Sequence, residues 1–227
     1  MRIPKTMAGL ALGLIAVATA SCGSSTPKTA SINPTADRAA AKAINLKASD
    51  LPGWKQSPNA TTSADQATSS RLAACAGAKS PNKIDVVDVS SPYFDQGQTE
   101  VSSDVTMVRS HADGLADLKA LTSSKLSGCV QQILVPELNK DLPAGATVSN
   151  LQISAFAPSG APRDSFGLRI ALSVTVPQQG AVPINIDTIG FLDGRAEVEL
   201  DATQTGGDPS TSLEQELLSF LVTRAQQ

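Results

Sequence analysis

Phe166-Gly167-Leu168-Arg169-Ile170-Ala171-Leu172-Ser173-Val174-Thr175-Val176 decides the fold. Large apolar residues occupy every second position, the period of a β-strand with one face in a core. The other face (Gly167, Arg169, Ala171, Ser173, Thr175) is small and only partly polar, so it can accept a helix or a ligand. Downstream, Val182, Ile184 and Ile186 begin a second strand and Ile189 and Phe191 end it. The apolar set changes parity near Thr188 and Gly190, which predicts a β-bulge there. Asp193-Gly194 is a two-residue hairpin turn. The return strand turns Ala196, Val198, Leu200 and Ala202 inward. Its alternate face of Arg195, Glu197, Glu199 and Asp201 reads as solvated.

Upstream, Leu151, Ile153 and Ala155 alternate in another strand. Lys83 to Ser90 and Thr99 to Arg109, with Val101, Val105 and Met107 on one face, read as a hairpin around a turn at 92–97. Helices alternate with these strands. Thr35 to Lys47 is Ala-rich. Ser63 and Gln66 have capping-box spacing for a helix that ends at Ala76, with Gly77 as its C′ residue. His111 to Leu121 places Leu115, Leu118 and Leu121 near one stripe. A stronger helix starts at Ser123 or Ser124 and buries Leu126, Cys129, Val130, Ile133 and Leu134 until Pro136 breaks it. Thr211 and Glu214 form a capping box for a last helix, whose stripe of Leu213, Leu217, Phe220 and Leu221 is widened by Leu218 and Val222. Together these elements predict an α+β domain, an antiparallel sheet of about six strands packed against helices.

The first residues carry a different message. Arg2 and Lys5 precede an uncharged apolar run from Met7 to Ala20, the shape of a secretory signal. The run is shorter than the roughly 20 apolar residues of a membrane-spanning helix. Thr19-Ala20-Ser21-Cys22 resembles the lipobox of bacterial lipoproteins, with Thr19 where Leu is usual. That resemblance implies cleavage before Cys22, a diacylglycerol on its sulfur, and an acyl chain such as palmitate on the new amine. Two or more chains suffice for stable anchoring. From Gly23 to Pro34 the chain is small, polar and Pro-broken, the composition of a flexible tether. The expected division is therefore a signal peptide (1–21), a lipidated cysteine and linker (22–36), and one globular domain (37–227).

The chain has three cysteines. With Cys22 in the anchor, Cys75 and Cys129 remain in an oxidising compartment, where a single disulfide is the simple reading. Two unpaired buried thiols are the alternative. Zinc lacks a second Cys or His at ligand spacing, so no metal and no cofactor are expected. A formal net charge of -3 and an aromatic share of 3% leave no footprint for nucleic acid. His111 is the single histidine, and no G-x-S-x-G accompanies it, so a serine hydrolase would have to be built around a helix-starting residue. Glu197, Glu199 and Asp201 could serve glycoside hydrolysis, but their alternation with an apolar face is that of a solvated strand. No catalytic set is legible, and a non-catalytic protein is the expectation. Pro52-Gly53 requires a positive φ at Gly53. Trp54 after it reads as a core anchor, with a ligand platform as the alternative.

The lipobox, the tether, Ala48-Ser49-Asp50-Leu51-Pro52-Gly53-Trp54, Ala74-Cys75-Ala76-Gly77 and Gly128-Cys129-Val130 occur together. In this the chain resembles actinobacterial, largely mycobacterial, cell-envelope lipoproteins, some of which share a domain similar to the extracellular sensor of PknH-type serine/threonine kinases. The resemblance implies an antiparallel sheet flanked by helices, with a cleft for a small or lipid-like ligand. Those kinase sensors tend to carry two disulfides, whereas this chain can form one. The expected protein is lipid-anchored at the outer face of the cell membrane. It binds a ligand in a cleft lined by the face around Gly167, Ala171 and Ser173, or else acts as an adaptor through protein contacts.

Overall fold

The computed structural model describes residues 32–60, 62–77, 81–178 and 180–227. The signal peptide, Cys22 and most of the tether lie outside the described residues. In chain order the elements are α1 (Pro34–Ile44), a 3-10 turn (Ala48–Asp50), β1 (Lys55–Ser57), α2 (Ser63–Ala76), the single-turn α3 (Pro81–Ile84), β2 (Asp85–Ser90), β3 (Tyr93–Gln96), β4 (Thr99–Val108), α4 (His111–Leu121), α5 (Lys125–Asp141), β5 (Thr147–Phe156), β6 (Ser165–Val176), β7 (Gly180–Asp193), β8 (Ala196–Thr205) and α6 (Thr211–Ala225). The strands form one antiparallel sheet of eight, in the order β1-β3-β4-β8-β7-β6-β5, with β2 beside β4. The α+β class is as expected, with more strands than the sequence suggested. Tyr93–Gln96, read as a turn, is a strand because Phe94 is fully buried against Val101, and Gly97 (φ +66°) makes the turn.

The sheet carries two cores, one on each face. On the first face Phe166, Leu168, Ile170, Leu172, Val174 and Ile184 meet Leu72 and Ala76 of α2, Leu121 of α4, and Leu126, Val130, Ile133 and Leu134 of α5. On the second, Val101, Val105, Ile189, Phe191, Val198 and Leu200 meet Ala41 and Ile44 of α1 and Leu217, Leu218 and Leu221 of α6. This division explains the parity change in β7. No bulge occurs, for its register is unbroken with β6 from Phe191 to Gly180 and with β8 from Ile184 to Asp193. Ile184 faces one core and Ile189 and Phe191 the other, so the strand passes from one core to the next without changing its pleat.

Helix ends differ from the sequence reading by small steps with clear causes. Asn33 caps α1, its side chain accepting from the Thr35 and Ala36 N–H groups, with Pro34 at the first helical position. The capping box of α2 is Thr62 with Asp65, one residue earlier than Ser63 with Gln66. A carboxylate suits the positive end of a helix better than an amide does. Gly77 closes α2 at φ +82°. Pro136 does not end α5, which runs on to Asp141. Leu138 is buried in the core, and Glu137 bonds Arg71 at 2.8 Å and Lys140 at 2.7 Å, so packing and ion pairs hold the turn beyond the proline. Leu115 is 39% exposed and does not join the stripe of α4.

The N-terminal segment is tied to α6 through charged groups. Arg224 bonds both carboxyl oxygens of Asp50 and the Asn45 carbonyl. Burial alone would raise the Asp50 carboxyl, but hydrogen bonds from Arg224 and the Lys47 N–H outweigh it and hold the group below the ordinary range. Arg195 similarly takes both oxygens of Asp37 and the Val108 carbonyl.

Cys75 and Cys129 are joined in a disulfide between α2 and α5. The bridge is buried at one end only. Cys129 is 3% exposed, whereas Cys75 faces outward and leaves Leu72 and Ala76 to pack inward. Replacing both cysteines by Ser is expected to destabilise the fold by about 2–4 kcal/mol, read as a lower urea midpoint. An unchanged midpoint would show that Leu72 and Ala76 alone hold α2 in place.

Candidate functional site

The first turns of α6 stop short of covering β5 and β6, which leaves a cleft of about 250 Å³ on the second face of the sheet. Its apolar wall is Phe156, Ile189 and Leu218; its polar lining includes Ser154, Arg169, Thr211, Glu214 and Gln215. Gly167 sets one wall. A Cβ there would lie 2.8 Å from the Phe156 ring and from the Phe156 carbonyl, so the missing side chain is what lets Phe156 fold across β6. The Arg169 guanidinium carbon lies 5.9 Å from the centre of that ring.

Arg169 sits directly across from Asp187 in the sheet register, an opposite-charge cross-strand pair. Its Nε donates to one Asp187 oxygen at 2.6 Å and its Nη2 to the other. Nη1 points toward Asp208 at 3.7 Å, and Asp208 is itself held by Asn185. The hydrogen bond to Asp187 raises the basicity of Arg169 further, against the cost of burial. Asp187 is fully buried.

Glu214 completes the group. It is 4% exposed, and its Oε1 has no hydrogen-bond partner among the described residues. Burial pushes its carboxyl up to about 7, helped by the hydrogen bond to Asp187 and by that group's charge and opposed by Arg169. A carboxyl of this kind holds a proton near neutrality. The sequence had placed Glu214 in a capping box. Instead Ser210 caps α6, accepting from the Leu213 N–H, and Glu214 is among the residues lining the cleft.

Of the residues expected to line the cleft, Gly167 lies beneath Phe156, and Ala171 and Ser173 continue along β6 beyond the lining. Arg169, between them, is the residue that matters. Arg169 and Asp187 could have been paired from the sequence, since the hairpin joining their strands sets the register. Trp54 is half-buried, packs on the second core and takes no part in the cleft. His111 is exposed and donates from Nδ1 to the Gly194 carbonyl at 2.8 Å.

Glu197, Glu199 and Asp201 depart most from expectation. Their face is covered rather than solvated: Asp201 is buried, and Glu197 and Glu199 are half-buried. The sheet register sets them beside Thr106, Asp104 and Ser102 of β4, and Asp88 lies across from Thr106. Asp104 is 8% and Asp201 9% exposed. α4 crosses the Glu197 end, where a Cβ on Gly114 would lie 3.0 Å from Glu197 Oε1. Oε1 of both glutamates is removed from solvent without a hydrogen-bond partner among the described residues. Burial comes first in raising every one of these carboxyls. Asp85, with Asp88 beside it, reaches about 7. Asp104 reaches about 7 near Asp201 and Asp88, although Ser90 opposes the shift. Asp201 also reaches about 7, against a hydrogen bond from Thr188. Glu197 and Glu199 go well above the ordinary range. Among the described residues, no group of three or more His, Cys, Asp or Glu has the arrangement of a metal site.

No protein-family model matches the chain, and no curated protein matches it. Among solved structures, the extracellular domain of PknH from Mycobacterium tuberculosis is similar to it, with 9% sequence identity and a TM-score of 0.26 over 61% of this chain and 66% of that one. The chain thus spans just under two thirds of that domain. At this level of similarity the functional reading rests on the cleft alone. No described helix is long and apolar enough to cross a membrane.

Proposed function

We propose that the chain is a cell-envelope lipoprotein, anchored through Cys22 at the outer face of the cell membrane, whose domain binds a small, partly apolar ligand without transforming it. The observation that carries the binding role is the cleft under α6. It joins an apolar wall to the polar side chains of Arg169, Glu214 and Gln215. Binding sites commonly combine a mostly apolar lining with a few placed polar groups. The anchor rests on the lipobox-like Thr19-Ala20-Ser21-Cys22. Cys22→Ser is expected to move the protein from the membrane pellet to the soluble fraction. Native mass spectrometry of the purified protein is expected to show a bound species in addition to the polypeptide and its anchor. A soluble wild type would reject the anchor, and a bare polypeptide mass would reject the ligand.

An adaptor role has one observation in its favour. A groove of about 480 Å³ lies between α1 and α6, lined by Ala40, Ala43, Ile44 and Phe220. A bare polypeptide mass in that experiment would turn attention to this groove.

A further inference from the structure

The outer edge of the sheet forms an interaction surface that depends on neither the anchor nor the cleft. We propose that β5 pairs antiparallel with β5 of a second copy of this chain, joining two eight-stranded sheets edge to edge.

The backbone leaves this edge open over a defined stretch. β5 is the last strand of the sheet, and among the described residues no strand pairs with its outer side. A bulge divides it, for the register with β6 breaks between Ser149 and Gln152, where Asn150 takes φ +56°. Before the bulge the edge is closed by the Asn139 side chain, which accepts from the Val148 N–H at 3.0 Å. After it, Gln152 to Phe156 run in unbroken register with Ala171 to Gly167. Residues of an antiparallel ladder bond to one side and the other in alternation. The Leu192 N–H bonds the Asp164 carbonyl, so even-numbered residues of β6 bond β7 and odd-numbered ones bond β5. Gln152, Ser154 and Phe156, across from Ala171, Arg169 and Gly167, therefore turn their N–H and C=O groups inward. Ile153 and Ala155 turn theirs outward, where they meet no hydrogen-bond partner among the described residues.

The side chains of this edge suit a copy of themselves. Free edges are normally guarded by short strands, charges or proline. The opposite border of the sheet is guarded in this way: β1 has three residues and begins with Lys55, and β2 carries Asp85 and Asp88. β5 has ten residues, with no Lys, Arg, Asp, Glu or Pro among them. A two-fold axis at Ile153 sets Ile153 against Ile153, Leu151 against Ala155 and Gln152 against Ser154. The outward groups of the two Ile153 residues then bond each other, and one patch serves both copies. Apolar side chains meet on the first face of the sheet and polar ones on the second, with no like charges opposed. Leu151 and Ile153 already pack against the first core of their own chain, so pairing extends that core into the partner.

The interface is short, so association is expected to be weak and is followed from about 10 µM to about 1 mM. Sedimentation of the full chain carrying Cys22→Ser is expected to move from one chain mass toward two across that range. Amide exchange at Ile153 and Ala155 is expected to slow by about tenfold or more over the same range, with Gln152 and Ser154, already bonded to β6, unchanged. Gln152→Lys with Ser154→Lys, both at exposed positions, sets ammonium groups of the two copies against each other and is expected to keep the chain monomeric. Gln152→Glu with Ser154→Glu is expected to be monomeric alone and to form a one-to-one dimer with the Lys variant, which shows that both variants fold. One chain mass at every concentration would overturn the proposal. So would a dimer that persists in the Lys variant alone, or one that leaves Ile153 and Ala155 exchanging as fast as in the monomer. A monomer in which a co-purified polypeptide protects those two amides would give the edge to a foreign strand and overturn self-pairing.

Discussion

Raising the pH from 5 to 8 is expected to lower the thermal midpoint by about 10 °C, the equivalent of roughly 3–5 kcal/mol for a domain of this size. The cause is the carboxyl face formed by the buried Asp104 and Asp201 with the half-buried Asp85, Glu197 and Glu199. Each of these groups binds its proton more tightly in the folded chain than in the unfolded one. The stabilisation they give is therefore complete below the unfolded carboxyl value of about 4 and is lost as the pH rises through the folded value. For Asp85, Asp104 and Asp201 that window closes near 7. Glu214 loses its share over the same interval. The effects do not simply add, because one carboxylate on this face makes the next harder to form. Asp50 has the opposite sign. Its lowered value gives stability that is present above about 4 and lost as the pH falls below it, so it does not affect the interval from 5 to 8. Scanning calorimetry across that interval reads the slope. Asp104→Asn with Glu199→Gln is expected to raise the midpoint at pH 8 and flatten the slope. A midpoint that rises with pH would mean these carboxyls are already ionised in the fold.

The second large effect lies at a glycine. A Cβ on Gly190 would sit 2.1 Å from Phe166 Cε1 and 2.5 Å from Cζ, distances that no packed Cβ adopts. Gly190 is buried directly across from Phe166 in the sheet, and the ring covers the place where a side chain would be. Gly190→Ala is expected to cost about 3 kcal/mol or more, at or above the usual cost of overpacking. Phe166→Leu in the same chain is expected to recover part of the loss, so a double-mutant cycle from urea midpoints should show strong coupling. Gly128 is the control. Nothing lies within 4 Å of a Cβ there, and Ala in this helical position is expected to stabilise by about 0.5–1 kcal/mol. Equal effects at both positions would contradict the packing of Phe166 over Gly190.

The elements legible in the sequence were those with a single burial pattern. β6 and the stripe of α5 each face one core, and their periods of two and 3.6 residues are direct consequences of that burial. The elements misread were those shaped by both faces of the sheet. β7 serves two cores in succession, so its change of parity resembled a bulge. The acidic positions of β8 alternate with an apolar face and resembled a solvent face, because nothing local shows that the first face of the sheet is covered here as well. Glu214 had the spacing of a cap, and only the docking of α6 over β7 sets it beside Asp187. The cleft was partly legible for the same reason. The permissive face of β6 was apparent from its small residues, while its chemistry comes from the register of β6 with β7 and from α6, which arrives later in the chain.

The measurement that bears most directly on ligand binding is organic extraction of the purified protein followed by mass spectrometry, run side by side on the wild type and on Leu218→Trp, which fills the cleft. The cleft account predicts a small molecule near one equivalent per chain in the wild type, and its loss from a folded Leu218→Trp protein. The same molecules in the same amounts from both proteins would mean that whatever binds does so outside the cleft, and the proposed site would be wrong.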